Sequence, residues 1–487
     1  MTTITPATAG APPLSAPPPL AAPMPVSYRR YALGLLVAIY TVNFLDRQIV
    51  TILIPDIKRD LNLSDSEVGA MAGLWFALLY TTLGIPIARW ADRGDRPFIM
   101  TASLAVWSGF TVLAGFAQNF LMLAISRAGV GIGEAGCTPT AHSLLTEYFP
   151  KESRARALAI YSMGISIGTL LGMGLGGIIA ANWGWRTAFL VAGAPGLILA
   201  VVSAMTLLEP RRASKLIAAQ AAARAANQIT TKAALKVLSN KPTFWFFSLG
   251  AAFAATVSYS HSFFLAGYFL YTQPQGLADA AAFYGIGGNN PGTSYLGLGL
   301  GFSAGIGGVL GSWIGGWWCD KYGARDLRHF ATLPLVLPFI CLPVFWYVAQ
   351  MDNMVLAMIL MIIPNIGVAI WYGPVYGGVP GLVPPAMRAT AAAILLFVVN
   401  MIGLGAGPTL FGMASDAFAN WHHVQAGTGL DVATCKSVAQ DAPQFAACFT
   451  NQVEGLRNTV YWSTSIHIFS WISFALVILT IRKDMES

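Results

Sequence analysis

Four ionisable residues stand inside long apolar runs, where chemistry would take place away from water. Asp46 and Arg47 interrupt YTVNFLDRQIVTILIP, and Arg127 and Glu134 lie seven positions apart in FLMLAISRAGVGIGEAG. Of the 21 acidic residues only Asp46 and Glu134 fall well inside such a run, and of the basic residues only Arg47 and Arg127. A charge at the centre of a bilayer costs on the order of 3 kcal/mol on insertion scales, and by default it marks an ion or substrate pathway. Burial favours the protonated form of a carboxylate and a nearby arginine favours the ionised form, so an arginine that changes partner would load and release a proton. The competing reading is a static buried ion-pair network holding two helices together.

Helical geometry sets the expected pairing. Asp46 lies nine residues before Pro55 and Arg127 eight after Asn119. Both then sit roughly 12 to 14 Å below the same membrane face at ~1.5 Å per residue, and an Asp46 to Arg127 pair is expected. Glu134 shares a helix face with Arg127 but lies about 10 Å deeper, out of direct reach. The adjacent Asp46 and Arg47 point about 100° apart and do not share a partner.

Other motifs carry no chemistry. Gly131, Gly133 and Gly136 spell GxGxxG, but no strand precedes them and the run is an apolar helix, which excludes a dinucleotide fingerprint. His261, His422, His423 and His467 lack carboxylate or thiol partners at ligand spacing, and the five cysteines contain no CxxC pair. No metal and no cofactor are expected, with protons as the coupling ion.

The elements that must position these charges are membrane helices. Hydrophobic residues make up 55% of the 487 and charged residues 10%, against about a quarter charged in a soluble protein. Mean hydropathy is +0.61. A soluble enzyme is thereby disfavoured, and the net charge of +7 is dispersed between apolar runs rather than gathered into a nucleic-acid surface. Stretches long enough to cross a ~30 Å hydrocarbon core occur near 31 to 55, 67 to 88, 97 to 117, 120 to 146, 156 to 181 and 187 to 208. A second set follows near 243 to 271, 294 to 319, 329 to 349, 353 to 382, 389 to 413 and 458 to 481. The fold class is an all-α membrane protein with twelve transmembrane helices in two six-helix bundles.

Residues 1 to 28, rich in Pro and Ala, read as a disordered cytoplasmic tail. The first bundle is expected over 29 to 208 and the second over 243 to 487. Between them, 209 to 242 reads as a basic linker helix on an anionic cytoplasmic membrane surface. With both termini inside, 21 of the 28 Lys and Arg fall on the cytoplasmic side and five outside, the distribution of the positive-inside rule. The expected location is the cell inner membrane.

The two bundles repeat. ARWADRGDRP, with Asp92, Arg93 and Arg96, follows the second span, and GWWCDKYGARD, with Asp320, Lys321 and Arg325, follows the eighth. PKESRARA, with Arg154, follows the fourth, and PPAMRATA, with Arg388, follows the tenth. Asp92 to Asp320 is 228 residues and Arg154 to Arg388 is 234, so a duplicated six-helix unit is the best explanation. Asp92 and Asp320 are expected to pair with Arg154 or Arg388 from the facing loops and so lock a cytoplasmic gate in one state. Glycines 164, 168, 172, 176 and 177 in the fifth span, and 297, 301, 305, 308, 311, 315 and 316 in the eighth, form stripes for close helix packing.

At Gly316 to Arg325 the chain matches Gly-x-x-x-Asp-(Arg/Lys)-x-Gly-x-Arg in full, and at Arg127, Gly131 and Gly133 it matches Arg-x-x-x-Gly-x-Gly. It thereby resembles the major facilitator superfamily. The first-half copy departs, with Ala88 for the first glycine and Asp95 in the later glycine slot. Within that superfamily, NFLDRQIVTILIPDIKRDLNLSD and RAGVGIGEAG are similar to the spinster family of proton-linked lipid transporters. The resemblance covers Asp46, Arg47, Arg127 and Glu134, and implies lysophospholipid or sphingosine-1-phosphate-like substrates.

The second half has no ionised group within its spans but offers Tyr259, His261, Trp371, Tyr372, Tyr376 and Asn400 for a cavity wall. Charge on one wall and aromatic rings on the other suit an amphipathic substrate, moved by alternating access with proton coupling. A small organic or sugar acid, bound by the arginines, and a drug-like compound are the alternatives. A channel and an intramembrane enzyme are disfavoured, since the chain is pseudo-symmetric and its spans hold no nucleophile with a base nearby. Cys435 and Cys448, on the outer loop between the last two spans, are expected to form a disulfide. Membrane lipids are the expected surroundings and the monomer the expected state.

Overall fold

Helix starts are written into the connections. Ser64 accepts from the N–H of Glu67 while the Glu67 side chain accepts from the N–H of Ser64, a reciprocal cap. Asp95, Asn119, Asn290 and Asn353 each accept from a backbone N–H three residues on. Each of these five positions opens a long apolar helix.

The computed structural model describes residues 24–210, 231–323, 325–384, 387–439 and 441–486. Every regular element among them is a helix. The first four long helices are α1 (Val26–Asp60), α2 (Asp65–Ala91), α3 (Arg96–Ala114) and α4 (Phe120–Tyr148). One continuous segment, Glu152–Thr206, is divided by Gly184 (φ 83°, ψ 163°) into α5 (152–183) and α6 (185–206). Then follow α7 (Pro242–Thr272), α8 (Pro291–Gly323), α9 (His329–Val348), α10 (Met354–Leu382), α11 (Thr390–Gln425) and α12 (Phe445–Met485). Twelve long helices thus lie among the described residues, with shorter ones such as Pro274–Phe283 between them, and the even number of long helices puts both ends of the bundle on one membrane face, here the terminal face.

Three boundaries differ from expectation. The fifth and sixth spans share a corner rather than a loop, because Gly184 occupies a backbone region essentially reserved for glycine and no atom lies within 4 Å of where its Cβ would be. Helices α11 and α12 run past their apolar cores into polar sequence, to Gln425 and from Phe445. Helix α1 begins at Val26, within the expected tail. Tail residues 1–23 and linker residues 211–230, with Arg211, Arg212, Lys215 and Arg224, lie outside the described residues; 231–239 of the linker are helical.

Glycine sets how closely the helices approach. A Cβ on Gly168 would stand 2.4 Å from the carbonyl oxygen of Thr41, and one on Gly172 2.7 Å from that of Leu45, so this stripe seats α5 on α1 inside the first half. Between halves, a Cβ on Gly297 of α8 would meet the Met173 carbonyl at 2.4 Å, and one on Gly177 the Thr293 carbonyl at 3.0 Å. The α5–α8 seam loosens toward the terminal face: Gly305 finds only the Ser166 carbonyl at 3.6 Å, and Gly308 nothing within 4 Å. On another side of α8, Gly307, Gly311 and Gly315 face α10. The two bundles therefore touch on the far face and part toward the terminal face.

Candidate functional site

The four intramembrane charges gather in the first half. Asp46 is fully buried and turned toward α3, where the Thr111 hydroxyl donates to its Oδ2 at 3.2 Å. The next residue, Arg47, points a helical third-turn away and donates from Nε to Glu134 Oε2 in an ion pair. Glu134 and Arg127 are 1% and 2% exposed, whereas the Arg47 side chain keeps 18%. Arg47 is thus the one member of the quartet with a partly exposed side chain. Asp46 Oδ1, Glu134 Oε1 and Arg127 Nε are buried with no hydrogen-bond partner among the described residues.

An aromatic box surrounds the cations. The Arg47 guanidinium carbon lies 4.6 Å from the Tyr80 ring centroid, 5.2 Å from Phe76 and 5.4 Å from Phe44. Arg127 lies 5.3 Å from the same Phe76. Phe76 therefore serves both arginines, and their mutual repulsion is offset by ring quadrupoles in a site with little water.

The expected Asp46 to Arg127 pair is not formed. The two depths agree, but the rotation of α1 turns Asp46 to Thr111 and leaves Arg47 to take Glu134. Depth follows from residue counts, whereas which way a helix is turned depends on packing. Thr111 and the ring trio of Phe44, Phe76 and Tyr80 were not singled out; the spacing of Phe76 and Tyr80, four apart on one helix face, was the available signal.

The gate charges separate into two groups. Arg96 is completely buried and binds Glu147 at 2.6 Å, the Ser143 hydroxyl at 3.0 Å and Glu209, whose Oε2 accepts from its Nε at 3.0 Å. Arg154 donates to the Thr146 and Phe149 carbonyls. Both act within the first half, pinning the ends of α3, α4 and α6. Asp320, Lys321, Arg325 and Arg388 are exposed and make no ion pair among the described residues; Lys321 lies 4.8 Å from the Trp317 ring. The side chains of Asp92 and Arg93 lie outside the described residues. Unpaired gate charges agree with parted bundles.

A cavity of about 240 Å³ lies between the halves, reached by α1, α5, α7, α8, α9, α10 and α12. Tyr259, His261 and Tyr372 line it as expected. His261 Nε2 is 2.9 Å from the Ser463 hydroxyl, and its ring stacks on Phe345 at 4.8 Å. Trp371, Tyr376 and Asn400 are not on this wall: Trp371 is buried within the second half, Tyr376 stacks on Tyr372 at 6.0 Å, and Asn400 opens a π-helical turn in α11. Gln48, Thr169, Asn365 and His467 line it and were not anticipated, although each is a polar residue in an apolar run.

Two six-helix bundles around a central cavity, in contact at one face and parted at the other, are the architecture of a membrane transporter. The Major Facilitator Superfamily model matches residues 36–408, and the chain belongs to that family. It is 32% identical over 391 residues to an MFS-type efflux pump of Mycolicibacterium smegmatis, covering 80% of this chain and 85% of that one. It is 25% identical over 395 residues to human protein spinster homolog 1, covering 78% and 72%. The crystal structure of a bacterial homolog of the human lysosomal transporter Spinster, inward-facing and unoccupied, superposes with a TM-score of 0.79 at 30% identity, covering 94% of this chain and 99% of that one. The chain is spinster-like in sequence and structure.

Proposed function

We propose that this protein is a proton-coupled secondary transporter that moves an amphipathic lipid, of lysophospholipid or sphingosine-1-phosphate type, or a similarly hydrophobic compound, by alternating access. The observation that carries the reading is the division of the central space. On the first-half side Phe44, Gln48 and Thr169 line it, with Arg47, next to Gln48 on α1, paired to Glu134 behind that lining; the other wall is built from Tyr259, His261, Phe345 and Tyr372. An anionic or zwitterionic head would meet Arg47 while an acyl chain lies on the rings. Asp46 and Glu134 hold the proton, with Arg47 and Arg127 setting which carboxylate is ionised. The positive-inside count supports an inner-membrane protein with the terminal face in the cytoplasm.

The test is uptake in proteoliposomes. With an imposed proton gradient, a fluorescent lysophospholipid should cross saturably, and collapse of the gradient by an ionophore should abolish the effect. Gradient-independent, non-saturable flux would rule the reading out. The 32% identical efflux pump favours a second reading, a drug-like cargo at the same cavity. Competition between a lipophilic drug panel and the lysophospholipid separates the two.

A further inference from the structure

On the far face a carboxylate from the second half is seated on a helix start of the first. Asp416 of α11 accepts from the backbone N–H of Asp65 (3.1 Å, Oδ1) and of Ser66 (2.8 Å, Oδ2), and the Ser66 hydroxyl donates to the same Oδ2. These are the first residues of α2. The local cap, Ser64, serves only Glu67, so Asp416 satisfies two further donors of the first turn and meets the positive end of the helix dipole.

The contact is returned from the other side. Asp65 Oδ2 accepts from the Ser415 hydroxyl at 2.8 Å, and its Oδ1 accepts from Lys58 at 2.6 Å. Glycines admit the approach: a Cβ on Gly69 would stand 2.1 Å from the Pro408 carbonyl oxygen, and one on Gly412 2.0 Å from that of Asp65. Lys436 adds an ion pair to Glu67 at 2.6 Å, and its neighbour Cys435 is bonded to Cys448 with Cα atoms 5.6 Å apart. The disulfide thus ties the loop that carries Lys436 to α12, in the second half.

We infer that Asp416 is the positioning residue that holds the far face shut in the transport cycle, a helix cap supplied by one half to the other. The inference rests on the alternating-access reading. Opening the far face removes three hydrogen bonds to an ionised acceptor at once. The carboxylate and the α2 donors then return to water, so the contact biases the equilibrium rather than freezing it. The terminal-face charges Asp320 and Arg388 can act only in the opposite conformer.

Spin labels at exposed Gln118 and Gln350, on the far-face turns after α3 and α9, report the separation of the halves. The full chain is used in lipid nanodiscs, with the free cysteines Cys137, Cys319 and Cys341 replaced. Asp416→Ala should raise the fraction with long Gln118 to Gln350 distances about tenfold, as loss of a hydrogen-bonded charge implies. Asp416→Asn, which accepts but carries no charge, should fall between, and Lys436→Ala should shift it less. Wild-type distance populations in Asp416→Ala would overturn the assignment. Should that variant not be recovered folded, unchanged populations in Asp416→Asn would do the same. A single wild-type distance at every pH and substrate concentration would instead overturn alternating access itself.

Discussion

The two halves repeat one plan of six helices and differ in what they place at its centre. In the first, α1 and α4 carry Asp46, Arg47, Arg127 and Glu134, none of which lines the cavity, and of which Arg47 alone keeps a partly exposed side chain. In the second, α7, α9 and α10 carry Tyr259, His261, Phe345 and Tyr372, which face it. Duplication supplies the scaffold, and under the proposed function the difference would give energy coupling to one half and recognition of an apolar cargo to the other.

The sharpest way to break this division is to remove Arg47. Arg47→Ala strands Glu134 as an unpaired buried charge, so stability should fall by about 3 to 5 kcal/mol and transport should be lost. Adding Glu134→Gln should restore thermal stability but not proton-driven transport. Recovery of both in a thermal melt and an uptake assay would make the pair a mere scaffold. Asp46→Asn comes next. It perturbs one hydrogen bond, so stability should change by about 1 kcal/mol while the pH dependence of uptake between about pH 5 and 8 flattens. An intact pH profile would remove Asp46 from the coupling machinery.

On the other wall, Tyr372→Ala should raise the apparent KM for a lysophospholipid several-fold and leave the pH profile in place, as loss of ring contact implies. A changed pH profile would blur the division between halves. The smallest effect belongs to Arg482→Ala. This removes an exposed pair with Asp326 at 2.7 Å, whose carboxyl is held below its ordinary range by the Arg328 N–H and by Arg482. Melting temperature and uptake should both stay within experimental error.

Much of this is legible in the sequence. Twelve spans follow from segment length because the bilayer fixes how many apolar residues a helix needs. Asp46 and Glu134 were visible because a carboxylate among leucines and glycines has no ordinary structural purpose. Their partners were not, since pairing depends on how α1 is turned against α3 and α4. The α5–α6 corner was hidden because one glycine replaced a loop. Gate charges such as Asp320 were readable as a motif, yet a sequence encodes both ends of a cycle and the structure shows one. For the same reason Asp416 passed unnoticed: an aspartate near a helix end has no visible partner until a second helix from the other half is laid against it.

Gly184 has a mechanical consequence. Helix α5 lies on α1 and meets α8 across the seam, while Gly193 and Gly196 set α6 against Ser108 of α3. Because a single residue joins α5 to α6, a displacement of the far end of α5 carries the start of α6 with it. The end of α5 that meets α8 is thereby joined through one residue to α6, which packs on α3, the helix of the Thr111 that donates to Asp46.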